Sequence, residues 1–205
     1  MENFFQHVGR FWPAGRRDLH WHIIPTANEA IALAAPYVTG TGLIPPGLQR
    51  VSFRHIHCTL LHAVGVGITD VDMDTLLKDA WSYAQTVQPF TLTFDRPAVS
   101  NRAVEIGGWP GREFASVVKT LSAMMTNAGA DFEPAPSGYP HVSVAYGADG
   151  AEAVDEVTLK ATLASIAHPL SGTVVADRLH LVEQWHDGAH IKWSPIAVVP
   201  LAGAQ

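Results

Sequence analysis

Two short segments of this chain have the residue types needed for proton transfer. His57-Cys58-Thr59-Leu60 and His141-Val142-Ser143-Val144 share one form: histidine, any residue, hydroxyl residue, aliphatic residue. Of the eleven histidines, only these two have a hydroxyl residue two positions on. One match alone carries almost no information, and a hydrogen-bonded core histidine would explain it; two in matching contexts carry more. On a strand, residues i and i+2 point to one face. Each segment therefore presents an imidazole and a hydroxyl to the same surface, with Cys58 and Val142 turned to the core. Histidine titrates near neutrality, so one ring can accept a proton while the other donates one. The hydroxyls can donate hydrogen bonds to the non-bridging oxygens of a phosphate, where charge builds up. Such a set suits phosphodiester cleavage and requires no metal.

The elements that must position these groups can be read in order. Leu19–Ile24 is a strand ended by Pro25. Thr26 and Glu29 form a capping box, and the Ala-rich helix behind them is expected to stop near Pro36. Thr39–Gly47, with three glycines and two prolines, reads as a loop. Val51–Val64 has strand composition, with His55, His57, Thr59 and Leu61 on one face and Ile56, Cys58, Leu60 and His62 on the other. Asp70–Ala84 is an amphipathic helix with Met73, Leu76, Leu77, Ala80, Trp81 and Ala84 on its apolar stripe. Phe90–Phe94 alternates as a strand, with Ala103–Ile106 as its partner. A helix from Phe114 ends at Gly129, and Asp131–Tyr139 is a Pro-rich loop. His141–Tyr146 is a strand, Val154–Ile166 a helix, and Val174–Glu183 and Ile191–Val199 are strands joined at His186-Asp187-Gly188. The order is that of an α+β protein.

Composition narrows the function. A chain of 205 residues, 47% of them hydrophobic, can bury a sizeable core. Its single cysteine excludes a disulfide framework and, by alternation, lies buried rather than acting as a nucleophile. No signal peptide and no membrane-spanning run is visible, so the expected compartment is the cytoplasm. The net charge of −6, with only 13 Lys and Arg, argues against duplex DNA or bulk nucleic acid as partner and for a small phosphorylated ligand.

The chain resembles the 2H phosphoesterase superfamily, in its bacterial 2′-5′ RNA ligase / cyclic phosphodiesterase branch. The segments that carry the resemblance are LQRVSFRHIHCTLLHAVG, QPFTLTFDRPAVSNRAVEIGG, YPHVSVAYG and LHLVEQWHDGAHIKWSPIAVVPL. The resemblance implies one domain over 1–205 with two pseudo-symmetric lobes, roughly 19–88 and 89–199, that can exchange strands. Each lobe would be an antiparallel sheet with outer helices, and the two motifs would line the cleft between them. It makes His57 and His141 the catalytic acid/base pair and Thr59 and Ser143 the phosphate-holding hydroxyls, with no cofactor and no metal. Ser143 stands where threonine is usual, Tyr146 where many relatives have arginine, and His62 where an aromatic is common. The missing arginine weighs against polyanionic RNA.

Other residues admit two readings. Tyr146 either contacts substrate or packs at a strand end. His55 and His22 either line the cleft as substrate-binding residues or are structural, and the same holds for His20. The pairs His20/His22 and His55/His57 have the alternation of shared metal ligands, although no H-x-x-x-H or H-E-x-x-H motif accompanies them. The expected function is hydrolysis of a small phosphodiester such as a 2′,3′-cyclic nucleotide. The alternatives are ligation or cleavage of short 2′-5′ RNA ends, and a non-catalytic nucleotide-binding module. The sequence is silent on oligomeric state.

Overall fold

The computed structural model describes residues 1–40, 43–132, 134–167 and 172–203. Residues 41–42 of the expected Thr39–Gly47 loop and residue 133 of the Asp131–Tyr139 loop lie outside that range. The elements in chain order are α1 (Phe4–Val8), β1 (Asp18–Ile23), α2 (Ala27–Val38), β2 (Leu48–Arg50), β3 (Cys58–Ala63), α3 (Met73–Ala84), β4 (Phe90–Val99), β5 (Ala103–Trp109), α4 (Gly111–Asn127), β6 (Pro134–Pro136), β7 (His141–Gly147), α5 (Glu156–Ser165), β8 (Gly172–Ala176), β9 (Arg178–His186) and β10 (Ile191–Pro200).

These strands form two five-stranded antiparallel sheets, β10-β9-β1-β3-β6 and β2-β7-β5-β4-β8. Helices α3 and α4 pack on the first sheet and α2 and α5 on the second. The architecture is α+β with two lobes, as expected. The sheets are not contiguous in the chain. β2 joins the second sheet, while β6, β9 and β10 join the first. The expected Val174–Glu183 strand is in fact β8 and β9, one in each sheet, broken at Asp177.

Strand β1 shows why polar residues reach the interior. All six residues of Asp18-Leu19-His20-Trp21-His22-Ile23 are buried. Leu19, Trp21 and Ile23 enter the main apolar core. Alternation then sends Asp18, His20 and His22 to the opposite face, which the rest of the molecule covers.

Helix α2 opens on the expected capping box. The Glu29 carboxylate accepts from the Thr26 N–H at 2.8 Å, and the Thr26 hydroxyl accepts from the Glu29 N–H at 3.3 Å. Replacing Thr26 by alanine should lower unfolding stability by about 1 kcal/mol, read as a shift in urea midpoint at unchanged slope. The helix does not stop at Pro36 but runs to Val38. Tyr37 and Val38 are buried at its end, and that burial outweighs the one backbone bond that proline forgoes. In α3, Leu76, Ala80 and Ala84 are buried as expected, but Trp81 is exposed at the edge of the stripe. The helix begins at Met73, capped by Asp72, after a short 3₁₀ turn at Ile68–Asp70. Helix α4 stops as expected, with Gly129 at φ +91° just past its end.

Candidate active site

His57 lies just before β3, and His141 is the first residue of β7. The two strands belong to different sheets and pack against each other, with the Cys58 side chain fully buried beside them. This contact brings both motifs to one cleft of about 230 Å³, which His57, Thr59, His141 and Ser143 all line. Cys58 and Val142 are buried on the opposite face, as alternation requires.

The two histidines are held in the same way. The His57 Nδ1 lies 2.8 Å from the His55 carbonyl, and the His141 Nδ1 lies 3.1 Å from the Tyr139 carbonyl. Each partner is the backbone oxygen two residues earlier. A carbonyl only accepts, so each Nδ1 carries a proton and each Nε2 is left for the cleft. Burial, set against that carbonyl bond and reinforced by the nearby His141 and His55 rings, pulls the His57 pKa down to about 4. His57 is therefore neutral at pH 7, with Nε2 free to accept a proton. Its ring stacks on His22 at 4.3 Å and meets Trp193 edge-on at 4.8 Å, which limits its rotation.

Both strands break their alternation at the same place. In β3 the pairing to β1 jumps from Thr59↔His22 to Leu61↔Trp21, leaving Leu60 as an extra residue. In β7 the pairing to β5 jumps from Ser143↔Glu105 to Ala145↔Val104, leaving Val144 extra. A one-residue bulge inverts the facing of everything after it. Leu60 and Leu61 are consequently both buried, as are Val144 and Ala145. His62 and Tyr146, each five residues beyond the motif histidine, return to the cleft. This corrects two expectations: Leu61 is core rather than cleft, and His62 is on the motif face rather than opposite it. The continuous strand expected from Val51 is also replaced, because Phe53–His55 forms a 3₁₀ turn.

Tyr146 lines the cleft, its pKa pushed up to about 12 by burial. His22 does not line the cleft; it sits beneath His57 as the stacking partner. His55 turns away to an adjoining cavity of about 210 Å³ beside Arg50 and His190, its ring 4.8 Å from Trp193. His20 does reach the cleft and stacks on His62 at 3.9 Å. His62 in turn donates from Nε2 to buried Asp18 at 2.8 Å, and Arg16 grips the same carboxylate through two bonds of 2.8 Å. Burial, which alone would raise the Asp18 pKa, is outweighed by these hydrogen bonds, and the net shift is downward. Among the described residues, no three His, Cys, Asp or Glu side chains converge as a metal-binding group; the His20 and His22 rings meet edge-on with centres 5.5 Å apart, and His55 faces the adjoining cavity.

Sequence reasoning missed Glu105, Gln184 and an N-terminal wall of Phe4, Val8, Phe11 and Trp12, all of which line the cleft. Glu105 could have been placed from its register opposite Ser143 had the β5–β7 pairing been known. The N-terminal wall has no local signal at all. Among the described residues lining the cleft there is no lysine or arginine.

Together the paired strands and the cleft between the two antiparallel sheets define a two-lobed α+β fold. No family model and no curated protein matches the sequence. Solved structures do. The chain is similar to a phosphoesterase (20% identity, TM-score 0.66, covering 91% of this chain and 99% of that one). It is similar to Escherichia coli LigT complexed with 3′-AMP (18% identity, TM-score 0.63, 91% and 98%). It is also similar to TT0787 of Thermus thermophilus (15% identity, TM-score 0.67, 92% and 100%). These likenesses establish the fold. Among the described residues, no helix is long and apolar enough to cross a membrane.

Proposed function

We propose that this protein hydrolyses a small phosphodiester, a 2′,3′-cyclic nucleotide or similar cyclic phosphate, by two-histidine acid–base catalysis without a metal. The observation that carries the reading is the mirrored pair of imidazoles, each pinned through Nδ1 by a carbonyl two residues earlier and each freeing Nε2 at one cleft. Attack and departure at phosphorus lie roughly in line. A base and an acid are thus needed on opposite sides of the phosphate, and strands from two facing sheets supply them.

His57 is the base, because burial keeps it neutral. Its Nε2 takes a proton from water as the water oxygen bonds to phosphorus. The bond from phosphorus to one ribose oxygen breaks, and His141 Nε2 protonates that oxygen. The product is a ribose monophosphate; His57 leaves the step protonated and His141 neutral, and exchange with solvent restores both. Thr59 and Ser143 donate to the non-bridging oxygens.

Escherichia coli LigT, of the same fold, has been solved with 3′-AMP, phosphate, ATP and NADP+, which supports a nucleotide-sized ligand here. The lack of Lys and Arg among the described cleft residues favours a small substrate over ligation or cleavage of RNA ends. The test is turnover of the four 2′,3′-cyclic nucleotides with excess EDTA. The expected result is steady hydrolysis to a single monophosphate isomer. No turnover with EDTA, restored by added divalent metal, would overturn the metal-independent mechanism.

A further inference from the structure

The residues before β1 form an arm that spans the cleft and is fastened to both sheets. At the second sheet, the Glu2 N–H donates to the Asn101 carbonyl at 2.7 Å, and the Glu2 carboxylate pairs with Arg102 at 2.7 Å. Asn3 donates to Asp149 at 3.0 Å, and Phe4 lies on Tyr146 with ring centres 4.4 Å apart. The arm passes so close to Gly147 that a side chain there would collide with the Glu2 backbone. At the first sheet, Trp12 is 3% exposed and packs edge-on to His62 and His186. Its carbonyl accepts from His186 Nε2 at 2.7 Å, and its indole N–H donates to the Arg16 carbonyl at 3.0 Å. A segment tied at both ends is a fixed wall.

That wall differs chemically from the rest of the cleft. The floor is imidazole and hydroxyl, while the arm contributes Phe4, Val8, Phe11 and Trp12. A ligand matching both must carry a phosphate at one end and a flat apolar face at the other. Phe4 and Trp12 are spent in packing. Phe11 is not: it lines the cleft yet is 45% exposed, and among the described residues its one ring neighbour, His7, meets it edge-on at 6.1 Å. Its backbone is nevertheless held, with the N–H donating to the Val8 carbonyl at 3.0 Å and the carbonyl accepting from Arg16 at 2.7 Å. Arg16 also grips Asp18 at the start of β1, so the platform is braced against the first sheet.

We infer that the arm is the nucleobase-binding wall of the cleft and that Phe11 is the ring on which the base stacks. This rests on the phosphodiesterase reading and adds that the substrate carries a base. The experiment compares kcat/KM for 2′,3′-cyclic AMP with that for glycerol 1,2-cyclic phosphate, which has the same reacting ring and no base, in wild type, Phe11→Ala and Phe11→Trp. Because Phe11 is exposed, neither variant threatens folding. Phe11→Ala should lose roughly 5- to 150-fold on the nucleotide, the span of base–aromatic stacking, with the glycerol substrate unchanged and Phe11→Trp near wild type. Equal losses on both substrates, or none on either, overturn the platform while leaving the two-histidine mechanism intact. If wild type turns over neither substrate, the phosphodiesterase reading fails. Binding then decides the platform: Phe11→Ala must weaken 3′-AMP and spare inorganic phosphate, and equal effects overturn it.

Discussion

Changing His141 to alanine is expected to lower kcat on a 2′,3′-cyclic nucleotide by about 10²- to 10⁴-fold, the usual worth of a general acid. At about 1.4 kcal/mol per tenfold, that is roughly 3 to 5 kcal/mol of barrier. His141 is the cleaner of the two sites to test. Its ring is part-exposed, held by the Tyr139 carbonyl and the Ser137 hydroxyl, so its removal leaves the core alone. His57→Ala should cost a similar factor, but it also opens a gap against His22 and Trp193, and it calls for a fold check by circular dichroism. The double variant should be little worse than either single one, because acid and base act in one concerted step. A loss below tenfold in the properly folded His141 variant would sink the mechanism.

Acidification should unfold the protein well above the pH at which its carboxylates protonate. His20 and His22, wholly buried and close to other imidazoles, have pKa values held well below the ordinary 6.5. Burial puts His57 and His180 at about 4. In the unfolded chain all four protonate near 6.5, so below that pH the unfolded state binds more protons than the folded one. Their contribution is full above pH 6.5 and is lost as pH falls below it, for His57 and His180 down to about 4. Each group removes up to about 1.4 kcal/mol per pH unit across that window. For His57, the fall from 6.5 to about 4 amounts to roughly 3 kcal/mol in total. Against a typical stability of about 5–15 kcal/mol, that single group is already a sizeable share. Asp18, with its pKa lowered, acts only below its ordinary 3.8 and does not enter this window. Urea midpoints at pH 7.5, 6 and 5 should fall steeply, and His20→Phe should flatten the slope. Equal midpoints at pH 7.5 and 5 would refute the claim that these histidines are buried neutral.

Much of this was legible in the sequence because its causes are local. The capping box needs only Thr26 and Glu29, and the end of α4 only a glycine able to take φ +91°. The motif segments disclosed their own facing, since pleating puts His57 with Thr59 and His141 with Ser143 whatever surrounds them. The continuation of α2 past Pro36 was not legible, because it depends on what buries Tyr37 and Val38. The fates of Leu61 and His62 were not legible either. They turn on a bulge at Leu60 that exists only once β1 and β3 choose a register, and its counterpart at Val144 awaits β5. The common facing of each motif's imidazole and hydroxyl thus follows from the chain alone, because side-chain direction in extended backbone is a property of the backbone. Packing was needed to establish that the two strands pack against each other, that His62 and Tyr146 return to the cleft, and that an arm of Phe4, Phe11 and Trp12 closes its side. Each of those requires segments far apart in the chain to come together, and no local periodicity encodes that.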